Sequence, residues 1–280
     1  TDATEFTSRQ TVEFTVIGTY EDGSENDVTA DSELTSSDDN VLVLGLLETA
    51  LGHGMGEGSA TVQASLGDQQ ADSDAITVSL VPVEVGDLVI NEILADDGDH
   101  DANGDGSTAD EDDEYIELVN ISFYTVDLGG VKVRDSNYAE LGPRHTFTSP
   151  FPLLPGQAVV IFGGGSVEAL SVEGTTFLVA ENEDTGLNHG LSLNNSGEYI
   201  SLVDDAGAVL VNLAYGDEDD TGEIEAIDDA SLNRTPDIVG PDYIDHRLVS
   251  GATTAYSPGT QASGEPFPDL DAWFSQLLPD

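Results

Sequence analysis

Cysteine is absent from this chain of 280 residues. No disulfide can staple the fold and no thiolate can hold zinc, so stability must come from a packed core. Positive charge is almost absent as well. Lys132 is the single lysine, and 6 Lys and Arg stand against 56 Asp and Glu, a net charge of −50. Neutralising phosphates takes clusters of Lys and Arg, so nucleic acid and anionic lipid are excluded as direct partners. No apolar run approaches the ~18–20 residues of a membrane-spanning helix, so membrane insertion is not expected. No charged or apolar leader precedes Thr1, so an export signal is expected to be absent or already removed.

Catalytic signatures are missing too. His53, His100, His145, His189 and His246 form no H-E-x-x-H, and no G-x-S-x-G elbow occurs. Gly163-Gly164-Gly165-Ser166 is followed by no Lys and opens no helix, so it reads as a turn after a strand. Carboxylates are so abundant that none is singled out as an acid/base pair. No enzyme is expected.

What is present is β structure. Hydrophobic residues make up 38% of the chain and gather in short runs. The length suits about two domains of ~100–200 residues each. Val12, Phe14 and Val16 alternate with Glu13 and Thr15, the period of a strand with one wet face. Glu21-Asp22-Gly23-Ser24 reads as a hairpin turn, Val41 to Leu47 as a buried apolar run, and Thr61–Ala64 and Ile76–Leu80 as further strands. Residues 81–87 form a short, stiff junction. A second β-rich region follows, with strands expected at Val89–Asp96, Asp113–Asn120, Gly130–Asp135, Ala158–Phe162, Glu198–Asp204 and Ala208–Tyr215. After Pro266 and Pro268, Trp273, Phe274, Leu277 and Leu278 lie at helical spacing behind an Asp cap, predicting a short amphipathic helix.

Two resemblances run through these patterns. Phe14–Ser24, Asp27-Val28-Thr29, Ser36-Ser37-Asp38, Gly56–Ser65 and Ile76-Thr77-Val78 together resemble the bacterial Ig-like domain family, departing from it at Leu34, where Trp is common. Ile90-Asn91-Glu92, Asp113–Asn120, Val126–Gly130, Leu154–Ile161, Gly197–Tyr215, Ser231–Arg234 and Ser257–Thr260 resemble a lamin-tail domain. The resemblances imply an all-β protein of two tandem Ig-like β-sandwiches with a short C-terminal helix. The domains are then 1–82, with an N-terminal extension, 86–263 of lamin-tail type, and a tail at 264–280. The second resemblance implies a secreted or surface protein in which the domain attaches or scaffolds and is not itself catalytic.

The clearest chemical motif is Asp101-Ala102-Asn103-Gly104-Asp105-Gly106-Ser107, which fits the calcium-loop spacing D-x-N-x-D-G. Asp101, Asn103 and Asp105 would present oxygens to one point, Gly106 would allow the sharp bend, and Ser107 would ligate through its carbonyl. The twelfth position is Asp112 where a bidentate Glu is usual, so Asp113 or Glu114 is an alternative closing ligand. Ten carboxylates lie between Asp96 and Glu114. Unit charges 4 Å apart repel by ~1 kcal/mol even in water, so an ordered loop calls for a cation. The alternative is a solvated acidic loop without an ion. Asp217–Asp220 with Glu223 and Glu225 shows no ligand spacing and reads as a solvated face or a second cation site.

The function expected is an extracellular, calcium-stabilised structural protein of the cell surface, a subunit of a filament, stalk or surface layer. Its partners would be copies of itself or other surface proteins, with Thr1–Gln10 available to pair with a neighbour's sheet edge. The alternative is a calcium-dependent adhesion module for glycans, with Tyr115, Phe123, Tyr124, Tyr138 and Tyr243 as candidate platform residues. The acidity also fits a protein kept soluble in concentrated salt. Sequons at Asn120, Asn194 and Asn233 hint at glycosylation.

Overall fold

The computed structural model describes residues 5–46, 48–108, 110–181, 190–268 and 272. It is an all-β chain with two single-turn α-helices among the described residues. Two compact units form: Thr1–Pro82 with Phe123–Asp127, and Val83–Ser122 with Leu128–Asp269. The expected C-terminal helix falls on residues 264–280, of which 269–271 and 273–280 lie outside the described residues.

The first unit is built from β1 (Glu5–Thr7), β2 (Thr11–Glu13), β3 (Ile17–Thr19), β4 (Glu25–Asp27), β5 (Glu33–Ser36), β6 (Leu42–Leu44), β7 (Leu51–Gly54), β8 (Gly58–Ala60), β9 (Val62–Leu66), β10 (Gln69–Asp72), β11 (Ile76–Ser79) and β12 (Val81–Pro82). They pair as β1-β11-β8, β10-β9-β5, β2-β7-β6 and β3-β4. Phe6, Phe14, Val41, Leu42, Val62, Ile76 and Val78 form the core, with Leu34 half-buried against it. The turn between β3 and β4 forms as its residues predict. Gly23 adopts φ +83°, and Asp22 Oδ1 accepts from Ser24 N at 3.0 Å.

Two local expectations are corrected here. The alternating run Val12–Val16 is strand only as far as Glu13; residues 14–16 link β2 to β3 while the chain changes partner from β7 to β4, with Phe14 buried at the switch. The apolar run from Val41 is fully buried only at Val41 and Leu42; Val43, Leu44 and Leu46 are half-buried, and Gly45 turns the chain at φ +81° after β6. Within this chain Glu5–Thr7 pairs in parallel with Thr77–Ser79 of β11.

The second unit begins with β13 (Leu88–Leu94), α1 (Asp110–Asp113) and β14 (Tyr115–Asn120), so Asp113 belongs to a helical turn and not to the strand expected there. β15 (Val126–Asp127) clusters with the first unit and runs parallel to β12. Then come β16 (Lys132–Arg134), α2 (Tyr138–Leu141), β17 (His145–Thr146), β18 (Pro152–Leu153), β19 (Ala158–Phe162), β20 (Thr175–Val179), β21 (Gly197–Val203), β22 (Val209–Gly216), β23 (Leu232–Thr235) and β24 (Asp242–Asp245). A six-stranded sheet runs β20-β19-β14-β13-β23-β24, and a four-stranded sheet runs β17-β16-β21-β22.

Every residue of β13, β14 and β19 is buried. Such strands must be covered on both faces. One face lies against the second sheet, where β13 approaches β22. The outer face carries Tyr115 and Glu117 of β14, with Val160 and Phe162 opposite them on β19. Irregular chain covers this face: Ala102 and Leu170 pack into the cluster of Leu94, Tyr115, Val160 and Phe162, and Tyr256 borders it. The roofed outer face positions both groups of buried acids.

Candidate functional site

The loop between β13 and β14 folds around its own side chains. Asp101 Oδ2 accepts from Gly106 N at 3.0 Å, Asn103 Oδ1 from Asp105 N at 3.0 Å, and Asp105 Oδ1 from Ser107 N at 2.8 Å. Gly104 and Gly106 take φ of +75° and +88°, which side-chain-bearing residues rarely adopt. Ala102, 4% exposed, pins the loop to the apolar cluster beneath.

Of the expected ligand residues, Asp101, Asn103, Asp105 and Asp113 are brought together. Asn103 and Asp113 are fully buried, and Asn103 N donates to Asp113 Oδ1 at 2.9 Å. The other oxygen, Asp113 Oδ2, is buried without a hydrogen-bond partner, and so is Asp101 Oδ1. Burial first, and then the charges of Asp101 and Asp105, push the Asp113 carboxyl above its usual range against the amides of Asn103 and Ala102. Ser107 is exposed. Asp112 is half-buried beside the Gly163–Gly165 turn, and its carbonyl accepts from Gly164 N at 3.1 Å. Glu114 points elsewhere: its Oε2 accepts from Leu193 N at 2.8 Å, and burial pushes it up to about 8.

The glycine run after β19 belongs to this site. A Cβ on Gly163 would lie 2.0 Å from Glu111 O, one on Gly164 1.8 Å from Asp112 Oδ1, and one on Gly165 2.5 Å from Asp105 Oδ2. Ser166 N donates to Asp105 Oδ2 at 3.2 Å. The sequence shows the turn, but its close approach to α1 depends on a partner some fifty residues away. Among the described residues no group of three or more His, Asp or Glu side chains closes on a common point as a metal cage.

A second group on the same outer face carried no motif. Glu92 of β13 stands directly opposite Glu117 of β14 and Asn233 of β23, all fully buried. Glu92 Oε1 accepts from Ser231 Oγ and from Ser257 N at 2.9 Å, and its Oε2 accepts from Ser257 Oγ at 2.9 Å. His246 Nδ1 lies 3.1 Å from Glu92 Oε1. Glu117 Oε1 accepts from Asn91 Nδ2 at 2.9 Å and its Oε2 from Gly259 N at 2.6 Å. Burial, followed by the charge of Glu92, raises Glu117 well above the carboxylate range. Burial also pushes Glu92 up, but hydrogen bonds and charge from His246, with Ser231 and Tyr115, outweigh it and leave Glu92 lowered. Every carboxylate oxygen of this pair is engaged, which suits a lock on residues 255–262 better than proton transfer to a substrate.

Two cavities are lined by described residues. One of about 480 Å³ in the first unit is lined by Asp27, Thr29, Ala30, Glu48, Thr49 and Ala50, and one of about 10 Å³ in the second by apolar residues including Ile93 and Tyr215. Asp219 spends its carboxylate on the backbone of Thr221, Glu223 and Ile224 in the second acidic cluster. Tyr115 and Tyr243 are buried, which removes them as platform residues, whereas Phe123 is 43% exposed. The sequons at Asn120 and Asn233 are buried and hydrogen-bonded, leaving Asn194 exposed.

Residues 83–217 match the Lamin Tail Domain family. The match starts at the first residue of the second unit and stops short of β23, β24 and residues 255–262, which complete the outer face. Comparison with the curated proteins gives no match. An Ig-like sandwich of this kind is a structural or protein-interaction fold.

Proposed function

We propose that this chain, with its lamin-tail sandwich over residues 83–217, is a calcium-stabilised, non-catalytic structural protein of the cell surface. It would be secreted and assembled with copies of itself or other surface proteins into a filament, stalk or surface layer. The observation that carries this reading is the roofed outer face of the six-stranded sheet. Its buried acids Asp113, Glu92 and Glu117 each accept a hydrogen bond from a backbone amide of the covering chain. A substrate site needs a concave, accessible pocket with convergent polar groups, and these carboxylates build a wall.

Negative-stain microscopy with and without calcium tests the assembly. Ordered polymers that dissolve on chelation are expected, and monodisperse monomers under both conditions would remove the proposal. The competing reading is a glycan-binding adhesion module, favoured only by exposed Phe123. A calcium-dependent hit on a glycan array, lost in Phe123→Ala, would prefer it.

A further inference from the structure

We infer that the loop binds one calcium ion through Asp101, Asn103, Asp105 and Asp113, with Asp113 and not Asp112 or Glu114 as the closing carboxylate, and that the ion clamps the loop to the turn after β19. The inference deepens the structural reading above and rests on it for biological purpose, though not for its chemistry.

Spacing alone would leave only an acidic loop. The second observation is the pair of orphaned oxygens. Asp113 is fully buried, held at Oδ1 by Asn103 N, and its Oδ2 has no partner; Asp101 Oδ1 is in the same condition. Buried polar atoms are nearly always satisfied, and a lone unsatisfied one often marks an ion or water. Two on neighbouring carboxylates of like charge call for a cation. Among the described residues, the ion pairs that form engage the basic side chains elsewhere. The ion pairs of Lys132, Arg144, His246 and Arg247 are made with Asp205, Asp135, Glu92 and Asp245, all away from the loop. His100, the loop's own basic residue, stacks on Tyr256 with ring centroids 5.2 Å apart.

The donors choose the metal. Carboxylate, amide and backbone oxygens with no thiolate suit a hard cation, and calcium accepts a flexible oxygen shell where magnesium demands near-ideal octahedral geometry. The structure also separates the three candidate closing residues. Glu114 Oε2 is committed to Leu193 N, and Asp112 lies half-buried against Gly164, whereas Asp113 is tethered to the loop's third ligand. Asp105 bridges onward, since its Oδ2 accepts from Ser166 N. Asp101, Asp105 and Asp113 do not close on one point in this structure, so an ion bound here would draw loop, helical turn and glycine turn together.

Terbium luminescence on the full chain, sensitised by Tyr256 and competed by calcium, reads the site directly. The wild type is expected to bind one equivalent. Asp113→Asn and Asp101→Asn are expected to weaken binding at least about tenfold, since even outer-shell changes often cost 10–100-fold. Asp112→Asn should change it less than about twofold. Because Asp113 is buried, each variant is melted in chelator first; Asp101→Asn, at a half-buried position, carries the test if Asp113→Asn does not fold. A wild type that binds no terbium or calcium overturns the inference, as does equal loss in Asp112→Asn or wild-type titration by the two ligand variants. Polymers that form without any metal binding would sink this site and leave the structural role standing. Metal binding by a strict monomer would do the reverse.

Discussion

His145 opens β17 with Nδ1 accepting from Glu181 N at 3.1 Å and its ring edge-on to Phe147, centroids 4.7 Å apart. Only the neutral imidazole can accept there, and burial pulls the group down from 6.5 to about 4. Between those values the unfolded chain binds the extra proton, so stability is lost as pH falls from about 6.5 to about 4. The shift of about 2.5 units is worth roughly 3 kcal/mol at ~1.36 kcal/mol per unit. Urea unfolding across this window should show the loss, and His145→Phe should flatten its share of the slope. Glu117 acts in the other direction. A buried carboxyl raised above its unfolded value keeps its proton in the fold, so its contribution declines as pH rises above about 4.5. Its neighbour is a sharper test. Removing one partner of a buried pair typically costs about 3–5 kcal/mol, because the remaining charge is stranded. His246→Leu, which strands Glu92, should lower the unfolding free energy by that order in denaturant titrations.

At the scale of elements, the strands were legible where they are buried on both faces or alternate cleanly. β13, β14, β19, β21 and β22 fall on the expected runs. The edge strands β20 and β24, and β23 next to the edge, were missed because Thr175, Thr176, Asn233, Asp242 and Asp245 give them polar, interrupted patterns. The loop's inward-turning side chains at 101, 103 and 105 were legible from spacing, since local hydrogen bonds make them. The burial of Asp113 beside Asn103 was not, because it depends on whether α1 or strand precedes Tyr115, and on the Gly163–Gly165 turn meeting that helix. That turn yields a steric prediction. A methyl at Gly163 meets the carbonyl of Glu111, backbone that cannot swing aside. Gly163→Ala should cost about 1–3 kcal/mol, the usual penalty of overpacking. It should also weaken terbium binding without touching a ligand.

At the scale of the molecule, the net charge of −50 has two separable remedies. Diffuse screening acts on all carboxylates alike. The Debye length shrinks from ~10 Å at 0.1 M to ~3 Å at 1 M salt, so repulsion across the surface fades steadily. A bound ion acts at one point, saturates at its own affinity, and stabilises by RT ln(1 + [L]/Kd). Composition alone cannot divide these causes, since the same carboxylates serve both; the orphaned Asp101 and Asp113 oxygens can. Melting temperature should therefore climb with sodium chloride, without saturating, in the wild type and in Asp113→Asn alike. Micromolar calcium at fixed salt should add a saturable rise in the wild type only. At a hundred times Kd that rise corresponds to about 2.7 kcal/mol. Differential scanning calorimetry along both axes checks it. A calcium response that survives in Asp113→Asn would mean the ion acts by screening the whole acidic surface, and the second unit would owe its order to salt alone.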